Sequence, residues 1–210
     1  MYIKITDVNK TIKKAPILRD INLEFTGGKV YGLRGKNGSG KTMLMRAICG
    51  LITPDSGIID INGKILGKDI SFPESIGVLI ENPAFIDSYT GYDNLKMLAS
   101  INKGEVDISR ALETVGLNLQ DKRKYRKYSL GMRQRLGIAQ VLMEDPDFIL
   151  LDEPMNGLDN EGVVQMRELF IKLKQQGKTF LVVSHNRDDI EALCDEVYEM
   201  DAGMLKKLKK

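Results

Sequence analysis

The stretch GKNGSGKT, residues 35–42, combines backbone freedom with a single positive charge. It matches the pattern G-x-x-x-x-G-K-[ST], in which glycines allow several backbone N–H groups to point inward at phosphate oxygens. A lysine at this place reaches the β- and γ-phosphates of a nucleotide, and the hydroxyl that follows binds Mg²⁺. The residues expected to contact the nucleotide and its metal ion are therefore Gly35, Asn37, Gly38, Ser39, Gly40, Lys41 and Thr42.

Three short apolar runs lead into polar residues that could act on such a ligand. The runs VYGL, FILL and TFLVV are apolar at nearly every position, which is typical of strands buried on both faces of a parallel sheet. A helix-like segment follows each run, so the sequence predicts an α/β sheet. Ligands of such sheets bind beyond the carboxyl ends of the strands. The strands are predicted at 30–33, 148–151 and 179–183, and the helices at 43–49, 163–173 and 188–194.

Two acids and the single histidine of the chain come directly after these runs. Asp152 is expected to hold Mg²⁺, and Glu153 is expected to polarise the attacking water as a general base. His185 ends the third run at the same sheet edge and is expected to contact the terminal phosphate or the water. Taken alone, an acidic pair is more often a turn and a lone histidine a surface residue. Their convergence on the glycine loop favours catalysis.

Composition limits the class of protein. The chain has 210 residues, 42% of them hydrophobic and 29% charged, which fits one or two globular units. The net charge of +2 gives no reason to expect nucleic acid as a partner. Cys49 and Cys194 form no CxxC pair, so zinc and redox motifs are not supported. No apolar run approaches the ~18 residues of a membrane span. The final KKLKK is expected to be a frayed tail, with attraction to an anionic membrane surface as the alternative.

Further motifs make the sequence resemble the ATP-binding subunit of an ABC transporter over about residues 1–203. GKNGSGKT resembles the Walker A motif, and FILLDEP (148–154) resembles Walker B with its catalytic glutamate. NGLD (156–159) resembles the D-loop, YSLGMRQR (128–135) the signature motif, and His185 the switch histidine. The motifs occur in the order and spacing of the family. The resemblance implies an ATPase that uses ATP and Mg²⁺.

The resemblance also implies the architecture. We expect an α/β fold with a P-loop NTPase (RecA-like) core, an N-terminal antiparallel β part and a helical insert. The ATP-binding core would comprise residues 1–82 plus 134–210, and residues 83–133 would form a helical subdomain that ends in the signature motif. Helices are expected within that subdomain at 92–101 and 109–115, and a helix-like run at 133–143 follows Ser129 and Gly131.

Partners follow from the same resemblance. In the family the signature closes over ATP held by a second subunit, so Ser129 and Gly131 would bind a partner's nucleotide and Asp159 would lie near the joint. The implied partners are a second ATP-binding subunit, with a homodimer forming on ATP binding, and a membrane-spanning transporter subunit contacted around Phe85 and Tyr89. No nucleic acid partner is implied. The chain would be cytoplasmic and peripheral on the inner face of the cell membrane.

Four positions depart from the commonest pattern of the family. The signature reads YSLGM rather than LSGGQ, which places Leu130 where the usual glycine allows close approach. Glu81 replaces the Q-loop glutamine and is expected to offer Mg²⁺ a charged oxygen. Ile12 stands where an aromatic residue often stacks on adenine, and Asn156 where serine or threonine is commoner. YSLGM and the ENP tripeptide at 81–83 resemble the bacterial bacitracin and lantibiotic exporter group.

The predicted function is to bind and hydrolyse MgATP in order to power a separate membrane-spanning subunit of an exporter. The alternative is a soluble ABC ATPase such as an iron–sulfur assembly factor, which would carry the same ATP site without a membrane partner.

Overall fold

Two β-sheets and the helices packed on them make up the fold of the computed structural model, which describes residues 1–101 and 106–208. The strands are β1 (Ile3–Ile12), β2 (Ala15–Phe25), β3 (Val30–Arg34), β4 (Ser56–Ile61), β5 (Lys64–Ile65), β6 (Ile76–Leu79), β7 (Phe148–Asp152), β8 (Thr179–Val183), β9 (Glu196–Asp201) and β10 (Met204–Leu208). The helices are α1 (Lys41–Ile48), α2 (Gly91–Ala99), α3 (Ile108–Thr114), α4 (Leu130–Leu142), α5 (Asn160–Gln175) and α6 (Arg187–Leu193), with a 3₁₀ turn at Tyr125–Lys127. Within these residues, no helix is both long and apolar enough to cross a bilayer.

The larger sheet is mainly parallel and carries the predicted strands at its centre. Its order is β10-β9-β3-β8-β7-β6; β9 and β10 pair antiparallel, whereas β3, β6, β7, β8 and β9 run parallel to their neighbours in the rest of the order. The smaller sheet, β2-β1-β4-β5, is antiparallel and comes from the N-terminal part of the chain. The predicted α/β fold with an N-terminal antiparallel β part is confirmed.

Side chains of the central strands alternate between two apolar cores. On β7, Phe148 and Leu150 join the core that includes α1 and the antiparallel sheet. Ile149 and Leu151 face the opposite core, which includes α4 and α5. All four side chains are at most 1% exposed. Burial on both faces explains why the run FILL shows no alternation of polar and apolar residues.

Helix α4 begins earlier than the sequence indicated. The predicted run started at Arg133, but the helix starts at Leu130 because the Ser129 side chain caps it by accepting a hydrogen bond from the Met132 N–H at 3.2 Å. The proposed boundary between residues 133 and 134 therefore falls inside one continuous helix. The proposed helical subdomain and the proposed core would therefore share α4 rather than meet at a linker.

The segment 206–208 was expected to be part of a frayed tail and is instead part of a strand. It belongs to β10, which pairs with β9. The ammonium of Lys207 lies 2.6 Å from Glu196 Oε2. Hydrogen bonds from Lys207 and Lys29 lower the pKa of Glu196 to about 2. The last two residues lie outside the described part of the chain.

A buried ion pair joins α5 to α6. Arg167 donates to Asp189 Oδ1 from Nη2 at 2.6 Å and from Nε at 3.1 Å. The side chain of Asp189 is 3% exposed and that of Arg167 is 26% exposed. If Asp189 were removed, water could reach the partly exposed Arg167 guanidinium. If Arg167 were removed, the Asp189 carboxylate would remain buried.

We expect Arg167→Met to lower the free energy of unfolding by about 3 kcal/mol, because it leaves the Asp189 carboxylate buried without its arginine. Asp189→Asn should cost less, since Arg167 keeps access to water. Urea unfolding measures both effects. As a control, Lys172→Met on the exposed side of α5 should change the free energy by less than about 0.5 kcal/mol. An effect of Arg167→Met no larger than that of the control would contradict the expectation.

Candidate functional site

A cleft of about 580 Å³ lies at the carboxyl edge of the parallel sheet. Its walls come from the loop between β3 and α1, from the residues after β6, and from the ends of β7 and its following turn. This is the edge at which the sequence predicted a ligand site. The lining residues are Ile17, Asn37, Gly38, Gly40, Lys41, Thr42, Met43, Glu81, Asn82, Gln134, Asp152, Glu153 and Asn156.

The glycine loop has the geometry of a phosphate cradle. Gly40 has φ 111° at the start of α1, and a Cβ there would lie 2.7 Å from the Ile17 carbonyl oxygen, so only glycine fits. Beside Gly38, by contrast, no atom of the described residues comes within 4 Å of the place a Cβ would take. Lys41 Nζ donates to the carbonyls of Gly35 at 2.8 Å and Lys36 at 3.0 Å. The loop thus keeps an ammonium group and a helix N-terminus beside open space, which fits an anion.

Ser39 has a structural place in this loop rather than a place in the cleft. Its side chain is buried, and it does not line the cleft. Its carbonyl accepts a hydrogen bond from the Gly203 N–H at 2.9 Å, and the Gly203 carbonyl accepts one from the Arg19 N–H at 2.8 Å. The turn between β9 and β10 therefore supports the glycine loop from behind.

Thr42 and Asp152 form a pair of oxygen donors at the floor of the cleft. Thr42 Oγ1 donates to Asp152 Oδ2 at 3.4 Å. Burial, and then the charge of Glu153, raise the pKa of Asp152, an effect that Lys41 partly offsets. A cation bound beside Asp152 would favour its charged form and so oppose both effects on its pKa. The described residues hold no cluster of three or more His, Cys, Asp or Glu side chains for a metal ion. A hydroxyl and one carboxylate fit Mg²⁺, which takes its other ligands from waters and phosphates.

Glu153 and His185, predicted to act together, are in contact. His185 Nδ1 lies 2.9 Å from Glu153 Oε1, and the His185 backbone N–H donates to the same oxygen at 3.0 Å. Glu153 Oε2 has a longer contact, 3.5 Å to Ser184 Oγ. The imidazole is 73% exposed, whereas the Glu153 side chain is 25% exposed. One carboxylate oxygen is thus held by His185, and the other is left freer.

Glu81 lines the cleft, but its carboxylate is paired with a cation. Arg46 on α1 donates to Glu81 Oε1 at 2.7 Å, and the Glu81 side chain is 62% exposed. Its backbone N–H is hydrogen bonded to the Asp152 carboxylate. The expected metal ligand is therefore beside the Thr42–Asp152 pair, with its side chain held by Arg46.

Three of the residues predicted from the signature and D-loop motifs lie outside this cleft. Ser129, Gly131 and Asp159 are absent from its lining. Ser129 and Asp159 serve in the described structure as helix caps, Asp159 by accepting from the Gly162 N–H at 2.8 Å. Ile12, expected near the base, is 37% exposed at the end of β1 and also lies outside the cleft lining.

Four lining residues were not anticipated from the sequence: Ile17, Met43, Asn82 and Gln134. Gln134 is 4% exposed, and its Nε2 donates to the Glu153 carbonyl at 3.2 Å. The available signal was its place four residues before Ile138, which puts an amide on the apolar side of α4. Asn156, to which the sequence gave little weight, also lines the cleft.

Comparison with known proteins bears on this geometry. Residues 18–156 match the family model described as ABC transporter. The uncharacterized ABC transporter ATP-binding protein YybJ of Bacillus subtilis is 45% identical, over 99% of this chain and 96% of its own. The bacitracin transport ATP-binding protein BcrA of Enterococcus faecalis is 37% identical, over 97% and 67%. The lantibiotic transport ATP-binding protein SrtF of Streptococcus pyogenes is 38% identical, over 92% and 84%.

A solved structure of an ABC transporter cassette has the same fold. The dimeric structure of MJ0796, a bacterial ABC transporter cassette, superimposes with a TM-score of 0.87 at 25% identity and covers 99% of both chains. The resemblance drawn from the motifs is thereby confirmed, including its relation to bacitracin and lantibiotic transport proteins. The chain belongs to the ABC transporter family, as an ATP-binding subunit that hydrolyses ATP to power a separate membrane component.

Proposed function

We propose that this chain powers an exporter of the kind served by the bacitracin and lantibiotic relatives, from the cytoplasmic face of the membrane. The observation that carries the proposal is the joint placement of the glycine loop, Asp152 and the Glu153–His185 contact at one cleft. The similarity to BcrA and SrtF supports the choice of transport class. No feature of the described residues favours the soluble iron–sulfur alternative.

Nucleotide binding would replace hydrogen bonds within the glycine loop by hydrogen bonds to phosphate. Lys41 would give up the carbonyls of Gly35 and Lys36 for phosphate oxygens, which are better partners for an ammonium group. Thr42 and Asp152 would hold Mg²⁺, with Glu81 as a further ligand once its carboxylate leaves Arg46. When bound, Mg²⁺ supplies positive charge to the phosphoryl oxygens.

Hydrolysis would use the unequal environments of the two Glu153 oxygens. Oε1 is held by the backbone N–H and the imidazole Nδ1 of His185, so the carboxylate cannot turn freely. Oε2 has only the 3.5 Å contact to Ser184 among the hydrogen bonds of the described residues, and we assign it the proton of the attacking water. The other ring nitrogen of His185, Nε2, would contact the terminal phosphate.

The second half of the site would come from another ATP-binding chain. Ser129, Gly131 and Asp159 lie outside the cleft of their own chain, which supports a site shared between two copies. Residues 83–133, continued by α4, would act as the helical subdomain that presents them. The membrane subunit would contact the surface around Phe85 and Tyr89; Tyr89 is 42% exposed.

Glu153→Gln should keep ATP binding and nearly abolish turnover, because it removes the proton acceptor while preserving shape. Loss of a positioned general base costs about 10²–10⁴-fold in rate. Lys41→Ala should instead weaken ATP binding itself. Steady-state phosphate release and equilibrium binding of a fluorescent ATP analogue separate the two effects. Turnover of Glu153→Gln equal to that of the parent chain would refute the assignment of the base.

Glu81→Gln should raise the Mg²⁺ concentration needed for half-maximal ATP binding, by about tenfold if the carboxylate holds the ion. Arg46→Met should lower that concentration, since it frees Glu81 from its ion pair. Nucleotide binding is measured at fixed ATP while Mg²⁺ is varied, without reference to turnover. If both variants follow the Mg²⁺ dependence of the parent chain, Glu81 is not a metal ligand.

Purification of the tagged chain from its native cell in mild detergent with MgATP should recover a polytopic membrane protein. Mass spectrometry identifies what is recovered, and Lys41→Ala serves as the control for nucleotide-dependent association. Recovery of soluble assembly factors, with no membrane protein in either sample, would favour the iron–sulfur alternative and leave the ATP site unaffected.

A further inference from the structure

The first turn of α4 and the segment that follows β7 touch each other at a place where one side is a leucine and the other a glycine. Leu130 is the first residue of α4 and is 61% exposed. Gly157 belongs to the D-loop and has φ 75°. Although both residues lie at the surface, the space beside Gly157 is taken by the Leu130 side chain.

The position of the Leu130 side chain disfavours any residue other than glycine at position 157. A Cβ on Gly157 would lie 2.6 Å from Leu130 Cδ2, 3.0 Å from its Cβ, and closest of all to its Cγ. A rotamer change could move the outer carbons of Leu130 away. The third contact, with Leu130 Cβ, is the longest, and Leu130→Ala would keep it while removing the two shorter ones. The leucine side chain therefore adds a steric barrier at position 157, where the left-handed backbone already favours glycine.

Two further contacts tie the same two segments together. A Cβ on Gly131 would lie 2.8 Å from the Gly157 carbonyl oxygen, so the helix backbone approaches the D-loop closely there. One turn further along α4, Gln134 donates to the Glu153 carbonyl at 3.2 Å. That carbonyl also accepts from the Asn156 N–H at 3.1 Å. The first turns of α4 therefore run along the segment from Glu153 to Gly157.

We infer that Leu130 is a positioning residue for Glu153. Its contact with Gly157 fixes the D-loop against α4, so that the signature turn and the catalytic carboxylate of the same chain move as one unit. This inference rests on the proposed function, in which the signature meets the nucleotide of a second chain and Glu153 acts in its own. Nucleotide binding at the signature turn would then change the position of Glu153 in the ATP site of the same chain through Leu130.

The test is a double-mutant cycle on turnover. Gly157→Ala should lower kcat by about tenfold or more, because a small displacement of a catalytic group is costly. Leu130→Ala should lower kcat several-fold without changing KM. In the double variant the new methyl group at position 157 no longer meets Cγ and Cδ2 of the residue at position 130, so the added effect of Gly157→Ala should be at least about fivefold smaller than in the parent chain, within the range for residues in contact.

A matched control separates the contact from backbone strain. Gly67 has φ 83°, and no atom of the described residues lies within 4 Å of its would-be Cβ. Gly67→Ala therefore introduces alanine at a left-handed position without a clash, and it should leave kcat unchanged. Leu51→Ala, at a leucine of similar exposure, 58%, is the control for removing a surface leucine.

Several outcomes would overturn the inference. Equal effects of Gly157→Ala in the parent chain and in the Leu130→Ala variant would show that the two residues are independent. If the two substitutions are non-additive in the free energy of unfolding but additive in kcat, the contact between Leu130 and Gly157 has only a structural role. If Gly157→Ala does not fold, Leu130→Ala decides alone: kcat equal to that of the parent overturns the inference, and lowered kcat with unchanged KM and unfolding supports it. Absence of ATPase activity in the parent chain would instead refute the proposed function, and this inference with it.

Discussion

The hydrogen bond from the Glu153 N–H to the Val183 carbonyl, 2.8 Å long, lies at the end of the β7–β8 pairing, next to the cleft. It extends the pairing of β7 with β8 by one residue, although Glu153 has φ 48° and has left the strand conformation. The left-handed backbone turns the carboxylate toward His185, which follows β8. Parallel pairing of two buried strands thus brings the Glu153 carboxylate and His185 close together at the carboxyl edge of the sheet.

Charge in the cleft follows from the same arrangement. Adjacent positions at the end of β7 place Asp152 and Glu153 together, and their repulsion adds to burial in raising the pKa of Asp152. Lys41 offsets only part of this effect, since its ammonium is held by loop carbonyls. This charge distribution supports the proposed binding of Mg²⁺ together with the nucleotide.

Sequence patterns predicted the central strands and the position of the cleft better than the contacts around them. The apolar runs at β7 and β8 were unambiguous because strands buried on both faces have no polar alternation. The start of α4 was placed too late because the Ser129 cap depends on the three-dimensional position of one hydroxyl. Arg167 and Asp189 are 22 positions apart, so no local spacing brings them together. The YSLGM variant was visible as a departure, but only the structure shows that Leu130 occupies the space beside Gly157.

The turn between β9 and β10 extends the influence of the phosphate site to a part of the chain with no motif. Gly203 bonds Ser39 in the loop and Arg19 in β2, and so links three segments that are far apart in sequence. The lysine-rich strand β10 cannot then be regarded as a disposable extension. A reporter group or an affinity tag joined directly to β10 could displace the glycine loop, which we propose binds ATP. An engineer who wants a silent attachment point should choose a surface away from this hairpin.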